Sequence, residues 1–227
     1  MRTQRLAFGA AGAPATRIVL LPGAYHALEE FIAAGFDQAL RQRQLAAELI
    51  LAAPELAHLN DRGWLAQLHT EVIAPARAGG GGQLWLGGIS LGGYMALRFA
   101  AEGADEIDGL CLLAPYLGSR IIAAEIAAHA SLASWKPGAL ADDDDDRRIW
   151  RFVQRLPAMR AAPRVFLGYG RVDRFADTQR LLSGALPPAC SCVIAGGHDW
   201  PVWRALWDRF LDALAGGANA GGANPRR

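Results

Sequence analysis

Ser90 stands at the centre of "GISLG", residues 88–92, inside the longer run "LWLGGISLGGYMALRFAA" at 84–101. Gly87, Gly88, Gly92 and Gly93 bracket it, although glycine is unfavourable inside a strand or a helix. The apolar run before the glycines is strand-like, and the run after them has helical spacing. The glycines therefore mark a sharp strand-to-helix corner. A serine at such a corner has its Oγ pushed out above a sheet. The next N–H, that of Leu91, then opens a helix whose dipole favours negative charge. That is the chemistry of a nucleophilic hydroxyl with an oxyanion donor beside it. The bland rival is a glycine-rich turn of packing value only. Five residues alone are a weak signal, but strand before and helix after are the context the mechanism requires.

A serine needs a base. Five histidines are available: His26, His58, His69, His129 and His198. His69 falls mid-helix, His58 in a loop, and His129 in a long excursion. His198 follows a strand-like run directly, in "VIAGGHDW", where Gly196 and Gly197 can turn its side chain above the carboxyl edge of a sheet. Sites of open α/β sheets form at that edge. The base in turn needs an orienting carboxylate. Asp173, in "GYGRVDRF", follows the preceding strand-like run. Its rivals are Asp177, at a helix start, and Asp199, adjacent to the histidine and better placed as a helix cap. A second oxyanion donor is expected from the loop "LLPGAYH" (20–26), where Gly23 lets the backbone come close. Ala24 is favoured over Tyr25 for that N–H, and His26 could line the site.

These residues need a frame. Six short apolar runs read as strands buried on both faces: 17–21, 48–53, 83–87, 109–114, 164–169 and 190–195. Segments of helical period lie between them at 27–43, 62–78, 91–102, 176–186 and 201–214. Such alternation predicts a mostly parallel, doubly wound sheet in a three-layer α/β/α sandwich. The run "RLAFG" (5–9) is a possible extra edge strand. The whole is expected to be a single domain over 1–215. It carries a lid-like insertion at about 116–163 and an unstructured low-complexity tail at 216–227.

Composition narrows the classes further. The 227 residues are 52% hydrophobic and carry a formal net charge of +1, which gives no case for a nucleic-acid or anionic-membrane partner. No apolar run approaches the roughly 20 residues that span a bilayer. The N-terminus lacks a continuous apolar h-region, and the three cysteines, Cys111, Cys190 and Cys192, are an odd number. Both point to a reducing, cytoplasmic setting. "CSC" reads as two small buried side chains on one face of a strand. The run Asp142–Asp146 has no spaced ligand pattern and precedes "RRIWRFVQRL", so acids at a helix N-terminus explain it better than a metal. No metal and no cofactor are expected.

Taken in order, "LLPGAY", "GISLGG", "GYGRVDRF" and "AGGHDWPVWR" resemble the α/β-hydrolase superfamily over nearly the whole chain. The last two segments, with "WLAQLHTEVIAPARA", resemble small serine esterases of the esterase D and feruloyl-esterase-like group. The order Ser90, Asp173, His198 is that of α/β-hydrolases. The resemblance implies Ser90 as nucleophile, His198 as base and Asp173 as orienting acid. It also implies cleavage of a small-molecule carboxylic ester or thioester. The sequence departs from the family in starting almost at the oxyanion strand, so its antiparallel first strands are reduced or missing. It also lacks an HGGG-type run. An acyltransferase or peptidase with the same three residues, and a non-catalytic binding protein on the same fold, are the alternatives. The sequence leaves the oligomeric state open.

Overall fold

A computed structural model of the chain describes residues 1–9, 14–54 and 63–220. Seven strands form one sheet: β1 (Arg2–Phe8), β2 (Thr16–Leu21), β3 (Ala47–Ala53), β4 (Gln83–Ile89), β5 (Gly109–Leu113), β6 (Arg164–Gly170) and β7 (Ser191–Ile194). Their spatial order is β1-β3-β2-β4-β5-β6-β7. Every pairing is parallel except that of β1, which runs antiparallel to β3 from Arg2 opposite Ala53 to Phe8 opposite Ala47. Among the described residues β1 is the one antiparallel strand, at the edge where "RLAFG" suggested an extra strand.

Alternate residues of the central strands point to opposite sides, and both sides are covered. Val19, Leu21, Leu86 and Leu112 pack with α3 (Gly63–Leu68), α4 (Ala74–Ala78), α5 (Leu91–Gly103) and the 115–163 excursion. Ile18, Leu20, Leu113 and Cys111 pack with α1 (Leu28–Ala33), α2 (Phe36–Gln42) and α9 (Trp200–Ala220) on the other face. This is the three-layer sandwich that near-continuous apolar strands require.

Several boundaries differ from the sequence reading, each for a local reason. The segment 27–43 is two helices, because Gly35 takes a φ of +78° between them, a conformation glycine adopts without a Cβ penalty. Of the segment expected at 62–78, residues 63–78 are helical but widen into a π turn at His69–Ile73. Pro75 follows directly, and a proline cannot donate to the carbonyl four residues back. Cys190 lies in a 3₁₀ turn before β7, so strand alternation does not apply to it. It packs against one core cluster and Cys192 against the other. The closing helix runs on to Ala220, into the stretch expected to be unstructured, and 221–227 lie outside the described residues.

The excursion holds α6 (Arg120–Ala127) and α7 (Asp145–Arg155), and α8 (Ala176–Gly184) lies between β6 and β7. Its Trp135, Ile149, Trp150 and Val153 are fully or almost fully buried in the core cluster shared with α5. The acidic run opens α7: Asp144 caps the helix by accepting the Arg147 N–H at 3.1 Å. Among the described residues no helix is long and apolar enough to cross a membrane.

Candidate active site

The strand β4 and the helix α5 meet at Ser90, whose φ is +52° and ψ −113°. A non-glycine residue held there is strained. Its neighbours fix it from both sides. The Ser90 N–H donates to the Leu113 carbonyl at 3.1 Å, and its own carbonyl accepts from Tyr94 N–H and Tyr116 N–H at 3.2 and 3.0 Å. The flanking glycines are required by space. A Cβ on Gly88 would stand 2.5 Å from the Leu21 carbonyl oxygen, and one on Gly92 would overlap the same carbonyl. Both strand β2 and helix α5 therefore come closer to the corner than any side chain allows.

Three predicted residues are brought together here. The His198 Nε2 is 2.9 Å from Ser90 Oγ, and its Nδ1 is 2.7 Å from Asp173 Oδ2. A carboxylate can only accept, so Nδ1 carries the proton donated to Asp173. Nε2 is then free to accept from the serine hydroxyl. The second oxygen of Asp173, Oδ1, accepts the Phe175 N–H at 2.8 Å. Asp173 is 5% exposed and Ser90 8%, so the chain of hydrogen bonds runs through protein rather than water. Ser90 follows β4, Asp173 follows β6 and His198 follows β7, all at the carboxyl edge of the sheet.

Aromatic rings hold the histidine in place. Phe175 and Trp203 stand edge-on to it, with centroids 5.0 and 5.1 Å away. Beyond Phe175 the row continues through Tyr116 to Tyr94. Tyr94 Oη donates to Asp146 at 2.9 Å. Burial first, and the Asp146 carboxylate next, hold the Tyr94 hydroxyl well above the usual phenol range.

The loop after β2 turns at Gly23–His26, closed by His26 N–H donating to Gly23 at 3.2 Å. Tyr25 has a φ of +65° in this turn and is 95% exposed. A Cβ on Gly23 would touch both His26 Cδ2 and Ser90 Cβ, at 3.0 and 3.5 Å. The loop backbone thus lies directly against the serine. Among the described residues neither Ala24 nor Tyr25 donates its N–H to a backbone acceptor. The Leu91 N–H, in the first turn of α5, has no acceptor within the helix.

His26 forms a pair that the sequence did not reveal. Its Nδ1 is 2.8 Å from Glu30 Oε2, and Glu30 Oε1 accepts the Ala27 N–H at 2.7 Å. Those two bonds, the Ala27 N–H first, hold the Glu30 carboxyl below its ordinary range. The His26 ring stands edge-on to Trp203, as His198 does. The i,i+4 spacing of His26 and Glu30 was the available signal, and it spans a helix start.

The remaining candidates are elsewhere. His69 pairs with Glu106 at 2.7 Å and His129 binds the Glu125 carbonyl. His58 lies outside the described residues. Asp177 pairs with Arg180 on the surface. Asp199 accepts the Val202 N–H at 3.1 Å and so caps α9. Among the described residues no cluster of three or more His, Cys, Asp or Glu could hold a metal ion.

Fold and strand order define the class: the chain has the α/β-hydrolase fold. Est1E from Butyrivibrio proteoclasticus is similar in structure, with a TM-score of 0.65 at 16% identity over 94% of each chain. FphF, a fluorophosphonate-binding serine hydrolase of Staphylococcus aureus, has a TM-score of 0.63 at 11% identity, over 94% of this chain and 98% of that one. The monoacylglycerol lipase of Paleococcus ferrophilus has a TM-score of 0.59 at 16% identity, over 94% and 98%. No family model matches the sequence, and comparison with curated proteins yields no match either.

Proposed function

We propose that this protein is a serine hydrolase that cleaves a small carboxylic ester or thioester through an acyl-enzyme on Ser90. The observation that carries the reading is the continuous hydrogen-bonded chain from Ser90 Oγ through His198 to Asp173. A buried serine–histidine–carboxylate chain ending on a strained corner is costly as mere packing. It is what an activated nucleophile needs.

In this reading His198 Nε2 removes the Ser90 proton as Oγ attacks the acyl carbon. Asp173 keeps the imidazole in the Nδ1–H tautomer and stabilises the imidazolium that forms. The Leu91 N–H and an N–H of Ala24 or Tyr25 receive the developing oxyanion. The imidazolium gives its proton to the departing alcohol or thiol. Water, deprotonated by the same Nε2, then attacks the acyl-enzyme and releases the acid. Each step moves one proton through His198, and no bound cofactor enters the scheme.

The test is labelling with a fluorophosphonate beside turnover of a short p-nitrophenyl ester. The wild type is expected to label and turn over, and Ser90→Ala to do neither. A folded wild type that stays unlabelled and inert would sink the proposal.

A further inference from the structure

His26, in the loop after β2, is hydrogen-bonded on one side only. Its Nδ1 is 2.8 Å from Glu30 Oε2. A carboxylate can only accept, so Nδ1 carries the proton and Nε2 presents a lone pair. That Nε2 has no partner among the described residues and is not enclosed, the side chain being 28% exposed. Aromatic packing holds the ring in this orientation. Trp200 and Trp203 stand edge-on to it, with centroids 5.3 and 5.6 Å away, and the same Trp203 stands edge-on to His198 at 5.1 Å.

The ring edge that carries Nε2 borders the nucleophile. Cδ2, the carbon bonded to Nε2, and Ser90 Cβ both face the space over Gly23. A carbon at the Cβ position of Gly23 would be 3.0 Å from the first and 3.5 Å from the second. Little more than the width of a carbon atom therefore separates the His26 ring from Ser90. Capping of α1 does not account for the imidazole, because Glu30 Oε1 already accepts the Ala27 N–H at 2.7 Å and that bond needs no histidine. What remains is an acceptor of fixed direction, open to a ligand, on the wall of the space an ester must enter to meet Ser90. Sites of this kind orient and select their ligands through a few placed polar groups. They discriminate most strongly against an analogue that leaves such a group unpaired.

We infer that His26 recognises the substrate: its Nε2 accepts a hydrogen bond from a hydroxyl group close to the ester linkage of the molecule bound at Ser90. The inference rests on the reading of Ser90 as nucleophile and adds a substrate class to it, esters that carry a hydroxyl. An ether or carboxylate oxygen in that place would set acceptor against acceptor. An alkyl group there would take water from Nε2 and offer no donor in return. The hydroxyl belongs either to the alcohol or to the acyl part of the ester, and the same lone pair serves both.

The test is kcat/KM of the full chain on paired esters, each hydroxyl compound set against its methyl ether. Hydroxyethyl butyrate against methoxyethyl butyrate probes the alcohol part. Methyl hydroxybutyrate against methyl methoxybutyrate probes the acyl part. The wild type is expected to prefer the hydroxyl member of one pair by about tenfold or more, the worth of one hydrogen bond, and that pair identifies the part that bears the hydroxyl. His26→Phe keeps a ring against Trp200 and Trp203 but has no acceptor, so its preference should vanish. His26→Gln, whose amide oxygen accepts, should show a reduced preference, and it serves if the phenylalanine variant does not fold. Lost positioning of the loop slows both members of a pair alike, so the ratio reads recognition alone. Fluorophosphonate labelling of the same preparations separates this inference from the reading it rests on. A wild type that labels and turns over without preferring either hydroxyl ester would overturn the inference and leave Ser90 as nucleophile. A full preference retained by the folded variants would do the same. An unlabelled and inert wild type would overturn both.

Discussion

At Ser90 one residue holds a backbone shape that its neighbours must enforce, and the same logic recurs around it. Asp173 is anchored by both oxygens, one to His198 and one to the Phe175 N–H, so its carboxylate is a fixed partner for the imidazole. Asp173→Asn keeps the size of the side chain but presents a donor where Nδ1–H needs an acceptor. Ester turnover should fall by about 10⁴-fold. Asp177→Asn, at an exposed surface pair, should leave it within about twofold, because surface charge changes of this kind count for little. A larger loss in Asp177→Asn than in Asp173→Asn would reverse the assignment of the acid. His26 and Glu30 invite a similar argument. Glu30 ties the His26 ring and the Ala27 N–H together, next to the loop backbone that touches Ser90. If the pair positions that loop, His26→Ala and Glu30→Ala should each lower kcat about tenfold or more with little change in KM, since small misplacements near the reacting atoms are expensive. The double variant should be no worse than the poorer single, as residues acting as one unit are not additive. Steady-state kinetics of the three variants decide this, and additive losses would show that they do not act together.

Elements, rather than residues, explain what the sequence disclosed and what it withheld. Six of the seven strands were legible as apolar runs; in the central ones burial on both faces leaves no polar alternation to confuse, whereas edge strand β7 is only partly buried, with Val193 exposed. Ser90, Asp173 and His198 were legible because each directly follows such a strand. Gly35 and Pro75 were visible as letters, but the split helix and the π turn depend on backbone angles that letters do not fix. Phe175 and Tyr116 went unassigned because their contacts with the site arise only when separate elements pack. The excursion belongs to the same category. Arg147 on α7 pairs with Glu125 on α6 and with Asp144 at the helix cap. The Arg147 guanidinium, joined by the Trp135 indole N–H, holds the Glu125 carboxyl below the usual value of about 4.3. A carboxyl lowered by folding adds stability that is present above its unfolded pKa and lost as pH falls through its folded one. The α6–α7 junction should therefore loosen in acid, below about pH 4.3. Glu125→Gln should flatten the decline in Tm between about pH 5 and pH 3 relative to wild type. Parallel curves for the two proteins would show that this pair does not contribute.

On the scale of the whole molecule, the excursion is either an attached flap or part of the core, and Trp150 distinguishes the two. Its indole is fully buried, donates to the Leu117 carbonyl at 3.1 Å, and belongs to the same apolar cluster as Val19, Leu86 and Leu112 of the sheet. Trp135, Ile149 and Val153 lie in that cluster with it. A segment that shares its buried surface with the central strands has no separate core to melt, so the excursion and the sheet should unfold together. Trp150→Ala should then cost about 3–5 kcal/mol of global stability, the usual range for deleting a buried aromatic ring. It also leaves the Leu117 carbonyl without its donor. In urea, far-UV circular dichroism and the fluorescence of the remaining tryptophans should give coincident transitions for both wild type and variant, shifted to lower urea in the variant. If instead the variant keeps the wild-type midpoint for most of its secondary structure and shows a separate, earlier fluorescence transition, the excursion is an independent flap. Coincidence would also bear on Ser90, because α5, which starts at the serine corner, packs against α7. A core that unfolds as one unit would then hold the strained corner with the stability of the entire molecule.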